Sequence, residues 1–237
     1  MAASAKDTAR TAVLDWIRHG GVALVRINGL GTPWHEDDLS LAAKSTAVGI
    51  MLPKANRSAL ASVRARMPTQ QSLFALIETV VGLFELRVAL ASVPNIHRLA
   101  FGNVDFGADS GIWGTGSELD SVRIQLALES RHAGLPPPID GVCVALDEPQ
   151  MLARDIDRAR SQGFGGKLCI HPMQVAAVNE GFRPSDQEIE WAKRVVAIFE
   201  ESTRGVMAVN GQMVDKAILD RARALLSASC DRATIEE

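Results

Sequence analysis

Six short apolar runs alternate with segments of helical periodicity along the first 170 residues of this 237-residue chain. Such runs are typical of buried parallel strands, which are apolar on both faces. Strands that alternate with helices predict a parallel sheet covered by helices, either closed into a barrel or open and doubly wound, and the spacing does not separate the two. The strands are predicted at 22–27, 49–53, 73–79, 99–105, 139–144 and 167–170, and the helices at 5–19, 35–46, 57–66, 80–91, 117–132 and 148–161.

The last part of the chain follows a different pattern, because its two predicted helices have no predicted strand between them. The first is predicted from 186 to 203, and Ser185 and Glu188 form the capping box that opens it. Asn210-Gly211 is predicted as a turn before a last helix at 213–228. We therefore divide the chain into a β/α barrel domain at 1–180 and a C-terminal helical extension or lid at 181–237.

The composition argues against several classes of function. The formal net charge is −3 and the pI is near 6.0, so the chain offers no basic field for nucleic acid. No apolar stretch reaches the eighteen residues that a membrane span needs, and the first residues lack the apolar stretch of a signal peptide. Cys143, Cys169 and Cys230 have no metal-binding spacing. We expect a protein of the reducing cytoplasm.

Two acids follow the third and fourth predicted strands, Glu78 after Ile77 and Asp105 at the end of the run that starts at Leu99. If these strands are neighbours, their ends lie about 5 Å apart. One or two carboxylates, together with waters and substrate oxygens, are a sufficient set for Mg²⁺. Glu78 and Asp105 are therefore predicted metal ligands; alternatively, each acid caps a helix or pairs with a base.

Arg26 interrupts the otherwise apolar first strand. A buried guanidinium needs an anion, and its planar fork suits the carboxylate of a substrate. An ion pair with Glu78 or Asp105 is the structural alternative.

Three further segments carry weaker signals. Asp215 begins the last predicted helix, where an acid interacts favourably with the helix dipole. His171 ends the sixth strand and could donate to a ligand, although a lone histidine is more often structural. The glycine-rich segment 107–116 is predicted as a loop and lacks the Gly-x-Gly-x-x-Gly spacing of a dinucleotide site.

Several motifs, in this order, resemble the citrate lyase β-subunit-like branch of the HpcH/HpaI aldolase family. The resemblance covers nearly the whole chain and is specific for the family but not for a substrate. The motifs are Val25-Arg26-Ile27-Asn28-Gly29, Leu52-Pro53-Lys54, Ile77-Glu78-Thr79, Phe101-Gly102-x-x-Asp105 and Gly163-Phe164-x-Gly166-Lys167-x-x-Ile170-His171-Pro172-x-Gln174.

The resemblance implies a TIM-type (β/α)8 barrel, and a divalent cation, usually Mg²⁺ with Mn²⁺ as an alternative, held by Glu78 and Asp105. It implies that Arg26 binds the carboxylate of a 2-oxo or 2-hydroxy acid. Relatives of this kind cleave or form carbon–carbon bonds in acyl thioesters of the malyl-CoA, citramalyl-CoA or citryl type. Asp215 matches the lid aspartate that serves as acid/base, with Ala217 where relatives carry proline, and Ile170 and His171 match residues beside the substrate.

The same resemblance implies a homo-oligomer, a trimer or hexamer in which subunits exchange lids. Family members carry two further strands before the first helix of this chain, so the expected fold is an N-terminally truncated barrel of about six strands with a C-terminal helical extension. A start site too far downstream, a natural truncation closed by a partner chain, and a degenerate relative are three explanations. The alternative functions are a non-catalytic partner or scaffold subunit and a class II pyruvate aldolase that does not use CoA.

Overall fold

A computed structural model describes residues 2–45, 47–114, 116–201, 207–209 and 212–230. The chain forms two compact units, Met1–Val178 and Asn179–Glu237, and each is described by itself. Within the described residues, no helix combines the length and the apolar character that crossing a membrane requires. The predicted assignment of the second unit as a lid stays a prediction.

The first unit is a six-stranded half-barrel. Its strands are all parallel and follow one another in chain order from β1 to β6, each paired with the next. This arrangement confirms the predicted fold class, a TIM-type barrel of six strands. The strands are β1 (Leu24–Arg26), β2 (Gly49–Leu52), β3 (Ser72–Ile77), β4 (Ile96–Phe101), β5 (Ile139–Asp140) and β6 (Gly166–Lys167).

Helices connect these strands, as the alternating pattern predicts. A short 3-10 turn precedes the first helix and another precedes the sixth. The helices are α1 (Lys6–Arg18), α2 (His35–Lys44), α3 (Arg57–Arg64), α4 (Val80–Ser92), α5 (Asn103–Ser110), α6 (Asp120–His132), α7 (Pro149–Ser161) and α8 (Met173–Gly181).

Both faces of the sheet are apolar, which is expected of a parallel sheet. Ile50, Ala75 and Leu99 are fully buried. The residues that alternate with them, Met51, Leu76 and Ala100, form a second buried cluster. Partly buried side chains pack against this second cluster, namely Leu24, Phe74, Ile139 and Leu168.

A buried charge cluster, which was not predicted from the sequence, joins β5, β6 and α6. Asp140 accepts hydrogen bonds from Arg123 Nε at 2.9 Å and from Lys167 Nζ at 2.8 Å. Arg123 Nη1 also donates to the Gly116 carbonyl at 2.7 Å. The three charged side chains are at most 1% exposed. Both oxygens of Asp140 therefore have a cationic donor, and Asp120, 3.5 Å from Arg123, and Asp155, 3.8 Å from Lys167, supply further negative charge.

Two predicted strands are much shorter than expected, because side-chain amides replace the ladder beyond β5 and β6. The Asn103 side chain accepts from the Val142 N–H at 2.9 Å and donates to the Val142 carbonyl at 3.0 Å. The Gln174 side chain accepts from the Ile170 N–H at 3.1 Å and donates to the Cys143 carbonyl at 2.9 Å. The predictions of strands at 139–144 and 167–170 were therefore too long.

The prediction of a loop across 107–116 was also wrong in its first part, because α5 extends to Ser110. Phe106 anchors this helix: it is 2% exposed and packs edge-on against Phe101, with ring centroids 5.6 Å apart. Gly111 ends the helix with a φ of +73°, which glycine adopts without steric cost.

The second unit contains α9 (Asp186–Glu201), β7 (Met207–Val209), β8 (Gln212–Val214) and α10 (Lys216–Cys230). The capping box at α9 is confirmed, because the Ser185 N–H donates to Glu188 at 2.7 Å and the Glu188 N–H donates to Ser185 Oγ at 3.2 Å. β7 and β8 pair antiparallel, so the prediction that no strand separates the two helices was wrong. The predicted turn at Asn210-Gly211 lies outside the described residues.

Candidate active site

A cavity of about 630 Å³ opens at the carboxyl ends of the first strands. Its wall combines residues from α1, from the end of β1, and from the segments that follow β2, β3 and β4. The charged residues in this wall are Lys6, Arg10, Arg26, Asp38, Lys54, Glu78 and Asp105.

Glu78 is the most deeply placed carboxylate of the cavity. It directly follows β3 and is 2% exposed. Its Oε1 accepts a hydrogen bond from the Lys54 N–H at 2.9 Å, and its Oε2 lies 3.8 Å from Arg26 Nη2. Burial raises the pKa of Glu78; Arg26 and the Lys54 N–H oppose this rise, and the charge of Asp105 adds to it.

The backbone at Lys54 is held in an uncommon conformation. Lys54 has a φ of +48°, in the left-handed region that non-glycine residues seldom adopt. Two hydrogen bonds fix this segment against β3: Lys54 N–H to Glu78, and Ala55 N–H to the Leu76 carbonyl at 3.1 Å. No role was predicted for Lys54, although its position directly after a strand and a proline was an available signal.

Asp105 reaches the cavity from a helix, which corrects the prediction that it ends a strand. β4 ends at Phe101, and Asp105 lies exposed in the first turn of α5. Asp109, one turn further, accepts from the Val80 N–H at 2.7 Å and so holds α5 against the start of α4. β3 and β4 are neighbours, which meets the condition for a shared site, and this helix brings Asp105 to the same cavity as Glu78.

Gly102 gives Glu78 the space that it occupies. A Cβ atom at residue 102 would lie 2.5 Å from Glu78 Cβ and 2.7 Å from Glu78 Oε2. Any larger residue would displace the carboxylate.

Arg26 is the last residue of β1, and its side chain is 57% exposed. The expectation of a guanidinium buried within a strand was therefore wrong, because β1 ends at this residue and the side chain extends into the open cavity. The alternative of an ion pair with Glu78 is present at 3.8 Å. That contact leaves most of the guanidinium accessible to an anion in the cavity.

The donor set of the cavity fits a hard divalent cation. Among the described residues, no group of three or more His, Cys, Asp or Glu side chains is arranged to hold a metal ion. Glu78 and Asp105 instead provide two carboxylates in one cavity. Mg²⁺ is commonly bound by one or two protein carboxylates, while water and substrate oxygens complete its coordination shell.

Of the other predicted site residues, Ile170 and His171 belong to the first unit and Asp215 to the second. Ile170 and His171 follow β6 and are exposed, and they do not belong to the wall of this cavity. His171 Nδ1 accepts from the Met173 N–H at 3.2 Å. In the second unit, Asp215 accepts from the Ile218 N–H at 3.1 Å and so caps the N-terminus of α10.

The fold and the site define a class: a half-barrel protein that presents two carboxylates and an arginine at the carboxyl ends of parallel strands, where enzymes of this architecture hold their active sites. Residues 1–172 match the family model of HpcH/HpaI aldolase/citrate lyase. The chain belongs to this family, which confirms the resemblance in the sequence.

Relatives and solved structures agree with this assignment. A citrate lyase subunit beta-like protein of Deinococcus radiodurans is 34% identical over 236 residues, which cover 95% of this chain and 82% of that protein. A (3S)-malyl-CoA thioesterase of Cereibacter sphaeroides is 32% identical over 212 residues, covering 86% and 73%. The crystal structure of CitE from Mycobacterium tuberculosis in complex with magnesium, acetoacetate and coenzyme A has a TM-score of 0.81 and 28% identity, covering 96% of this chain and 85% of that one.

Proposed function

We propose that this protein is a Mg²⁺-dependent carbon–carbon lyase. Its substrate would be a 3-hydroxyacyl thioester of the malyl, citramalyl or citryl type, and its products an acyl thioester and a 2-oxo acid. One observation carries the proposal: Arg26, Glu78 and Asp105 share a single cavity in a chain of this family. The magnesium, acetoacetate and coenzyme A bound to the CitE relative support the choice of cation and thioester.

Each residue contributes a separate task in this proposal. Glu78 and Asp105 would hold the cation, which when bound supplies Lewis-acid polarisation of the substrate oxygens. Arg26, with its accessible guanidinium, would orient the carboxylate of the 2-oxo acid unit through paired N–H donors. The Lys54 N–H fixes Glu78 Oε1, so the carboxylate keeps one orientation.

The proposal includes three further predicted roles. Asp215 would act as the acid/base residue that transfers a proton to or from the thioester carbon. Ile170 and His171 would lie beside the bound substrate. We propose the CoA thioester as the form in which the acyl group arrives, as in the CitE complex.

Calorimetry tests the proposed site directly. We expect Mg²⁺ to bind the purified protein, and oxaloacetate or pyruvate to bind once Mg²⁺ is present. Glu78→Gln and Asp105→Asn should each abolish the Mg²⁺ heat, because each deletes one of two ligands. Asp157→Asn, which neutralises an exposed acid on α7, serves as the matched control. If the wild-type protein binds neither Mg²⁺ nor oxo acid at millimolar concentrations, the protein is not a lyase of this type.

A thioesterase is the second candidate function, because one of the similar proteins is a (3S)-malyl-CoA thioesterase. The two activities give different products from malyl-CoA. A lyase releases glyoxylate and acetyl-CoA without a free thiol, whereas a thioesterase releases malate and free CoA. Measuring glyoxylate and free thiol in the same reaction therefore separates lyase from thioesterase activity. A third outcome, activity with pyruvate and free aldehydes but none with malyl-CoA, would favour the class II aldolase.

We also propose that the protein is a homo-oligomer, as the family resemblance implies. What supports this proposal is an apolar surface on two adjacent helices, α4 and α6. Val81, Phe84 and Val88 on α4 are 56%, 76% and 51% exposed, and Ile124 and Leu128 on α6 are 46% and 65% exposed. Contiguous apolar surfaces of this kind mark protein–protein contacts.

The charges within this surface favour a second copy of the chain as its partner. Arg87, between Phe84 and Val88, forms a salt bridge with Glu129, next to Leu128. Within this pair the two charges compensate each other, and interfaces between identical subunits are the more apolar class.

Light scattering tests this part of the proposal. We expect the wild-type mass to be a multiple of 25.4 kDa and Phe84→Glu to lower it. Val175→Glu, the same kind of change at an exposed apolar position of α8, should leave the mass unchanged. A wild-type monomer, or an unchanged mass in Phe84→Glu, would contradict the proposed contact.

A further inference from the structure

Asp38, in the first turn of α2, is bonded to the segment that follows Arg26. Its Oδ2 accepts from the Asn28 N–H at 3.0 Å and also from the Asn28 side-chain amide. Its Oδ1 accepts from Arg10 Nε at 3.0 Å. The Asp38 side chain is 15% exposed, so these bonds are partly shielded from water. One carboxylate thus connects α1, α2 and the end of β1.

Asn28 is bonded through all four of its polar groups. Besides its two donations to Asp38, its side-chain oxygen accepts from Lys6 Nζ at 2.6 Å. Its carbonyl is bonded to Nδ1 of His35, a side chain that is 1% exposed, at 2.8 Å. A residue held at every polar group has little freedom to move.

Arg26 depends on this anchor because β1 gives it little support. β1 is three residues long and, in the part of the chain that the structure describes, pairs with β2 alone. Beyond Arg26 the ladder contributes one more bond, from the Ile27 N–H to the Met51 carbonyl at 3.2 Å. The next fixed point along the chain is Asn28.

We propose that Asp38 is a positioning residue for Arg26, acting through Asn28. The inference rests on the proposed function, in which Arg26 binds the carboxylate of a 2-oxo acid. By fixing Asn28, Asp38 holds the end of β1 so that the guanidinium faces the cavity at the distance that a carboxylate beside Glu78 and Asp105 requires. Without the Asp38 bonds, the end of β1 would lose this alignment, and ordering it when the oxo acid binds would cost entropy.

A purely structural role predicts something different. An acid in the first turn of a helix interacts favourably with the helix dipole, and Asp38 also pairs with Arg10. Asp37 shares both features, because it lies in the same turn and is 3.9 Å from Arg10 Nη1. Its 72% exposed side chain has no bond to Asn28 among the contacts of the described residues, which makes Asp37→Asn the matched control.

The experiment measures two affinities in each variant by calorimetry: that for Mg²⁺, and that for oxaloacetate at saturating Mg²⁺. We expect Asp38→Asn to bind Mg²⁺ within twofold of wild type but oxaloacetate about tenfold more weakly. Asp37→Asn should change neither. If Asp38→Asn does not fold, Asn28→Ala decides the question, because it removes the side-chain bonds of Asn28 and leaves the Asp38–Arg10 pair in place.

A double variant separates positioning from general destabilisation. In an Arg26→Ala background, Asp38→Asn should cause no further loss of oxaloacetate affinity, because the residue through which it acts is absent. The same loss in both backgrounds, or an unchanged affinity in Asp38→Asn, would overturn the inference while leaving the proposed function intact. A wild-type protein that does not bind oxaloacetate would overturn the proposed function itself, and the positioning role with it.

Discussion

Two charged clusters of the half-barrel combine the same kinds of residue but differ in how closely the cations approach the buried carboxylate. In the Asp140 cluster, Arg123 and Lys167 donate to the carboxylate at 2.9 and 2.8 Å, and all three side chains are at most 1% exposed. In the cavity, Glu78 is as deeply buried as Asp140, yet Arg26 lies 3.8 Å away and remains largely exposed.

The difference lies in how far each carboxylate is compensated. A buried acid with two cationic donors has its hydrogen-bonding oxygens occupied. Removing one partner of such a cluster destabilises the fold, because it leaves buried charge uncompensated. Glu78 is a buried acid with one backbone donor and one distant cation, so its carboxylate can still bind a further cation. Burial raises its pKa, because these two partners compensate the charge only in part. We therefore assign the Asp140 cluster to stability and the Glu78 cavity to binding, and four predictions test this division.

Asp140→Asn should give the largest effect. It removes the carboxylate that bonds both Arg123 and Lys167 directly and leaves only the more distant Asp120 and Asp155 beside them. We therefore expect a loss of about 3–5 kcal/mol in the free energy of unfolding, measured with urea. Glu78→Gln should cost less than about 1 kcal/mol, because it removes a charge whose burial is already unfavourable. Asp157→Asn is the exposed control. Equal losses in Asp140→Asn and Glu78→Gln would remove the distinction between the clusters.

Gly102→Ala should damage the site without removing a ligand. The new methyl group would lie 2.5 Å from Glu78 Cβ, and relieving that overlap should cost roughly 1–3 kcal/mol. We expect the Mg²⁺ affinity, measured by calorimetry, to fall about ten- to hundredfold. Gly29→Ala adds the same methyl group to the cavity wall with its nearest neighbour at 3.8 Å, and should leave that affinity near wild type.

Arg26→Lys should act on the oxo acid alone. Lysine keeps the charge but loses the planar pair of donors, so we expect oxaloacetate to bind about tenfold more weakly, or about 1.4 kcal/mol. Mg²⁺ affinity should stay within twofold. Arg57→Lys, a conservative change at an exposed position of α3, is the control. If Arg26→Lys also lowered the Mg²⁺ affinity, Arg26 would act on Glu78 rather than on the carboxylate of the substrate.

The pH dependence should be the smallest effect and should follow Glu78. Because burial raises its pKa above the ordinary value of 4.5, protonation of Glu78 stabilises the metal-free protein; this contribution is fully present below about pH 4.5 and is lost as the pH rises through the raised pKa. Mg²⁺ binds the ionised form, so its stabilisation should grow with pH over the same range. Melting temperatures with and without Mg²⁺, compared between wild type and Glu78→Gln, measure both trends; identical pH profiles for the two proteins would contradict the assignment to Glu78.

Local sequence patterns predicted much of this structure. The alternation of apolar runs and helices predicted the parallel sheet, and the order of β3 and β4 placed Glu78 and Asp105 on one cavity. The capping box at Ser185 and Glu188 formed as predicted, because its bonds span three residues. Each of these features depends on residues close together in the chain, on the periodicity of one element, or on the pairing of consecutive strands.

The errors share a physical cause, which is competition from distant partners. β5 and β6 end early because Asn103 and Gln174, from other segments, take the backbone bonds that longer strands would have used. The helix α5 is held by a distant partner, because Asp109 accepts from the Val80 N–H, 29 residues away along the chain. Periodicity within one segment carries no information about such contacts.

The amino-acid sequence by itself determined the alternation of the first six strands with helices, the family and the residues that define the candidate site. Only the tertiary structure decided that Glu78 is buried and Arg26 exposed, that Asp140 is compensated, and that Asp38 holds Asn28. Burial and compensation depend on which side chains meet across the sheet, and the free energy of a charge depends on those neighbours rather than on its place in the chain.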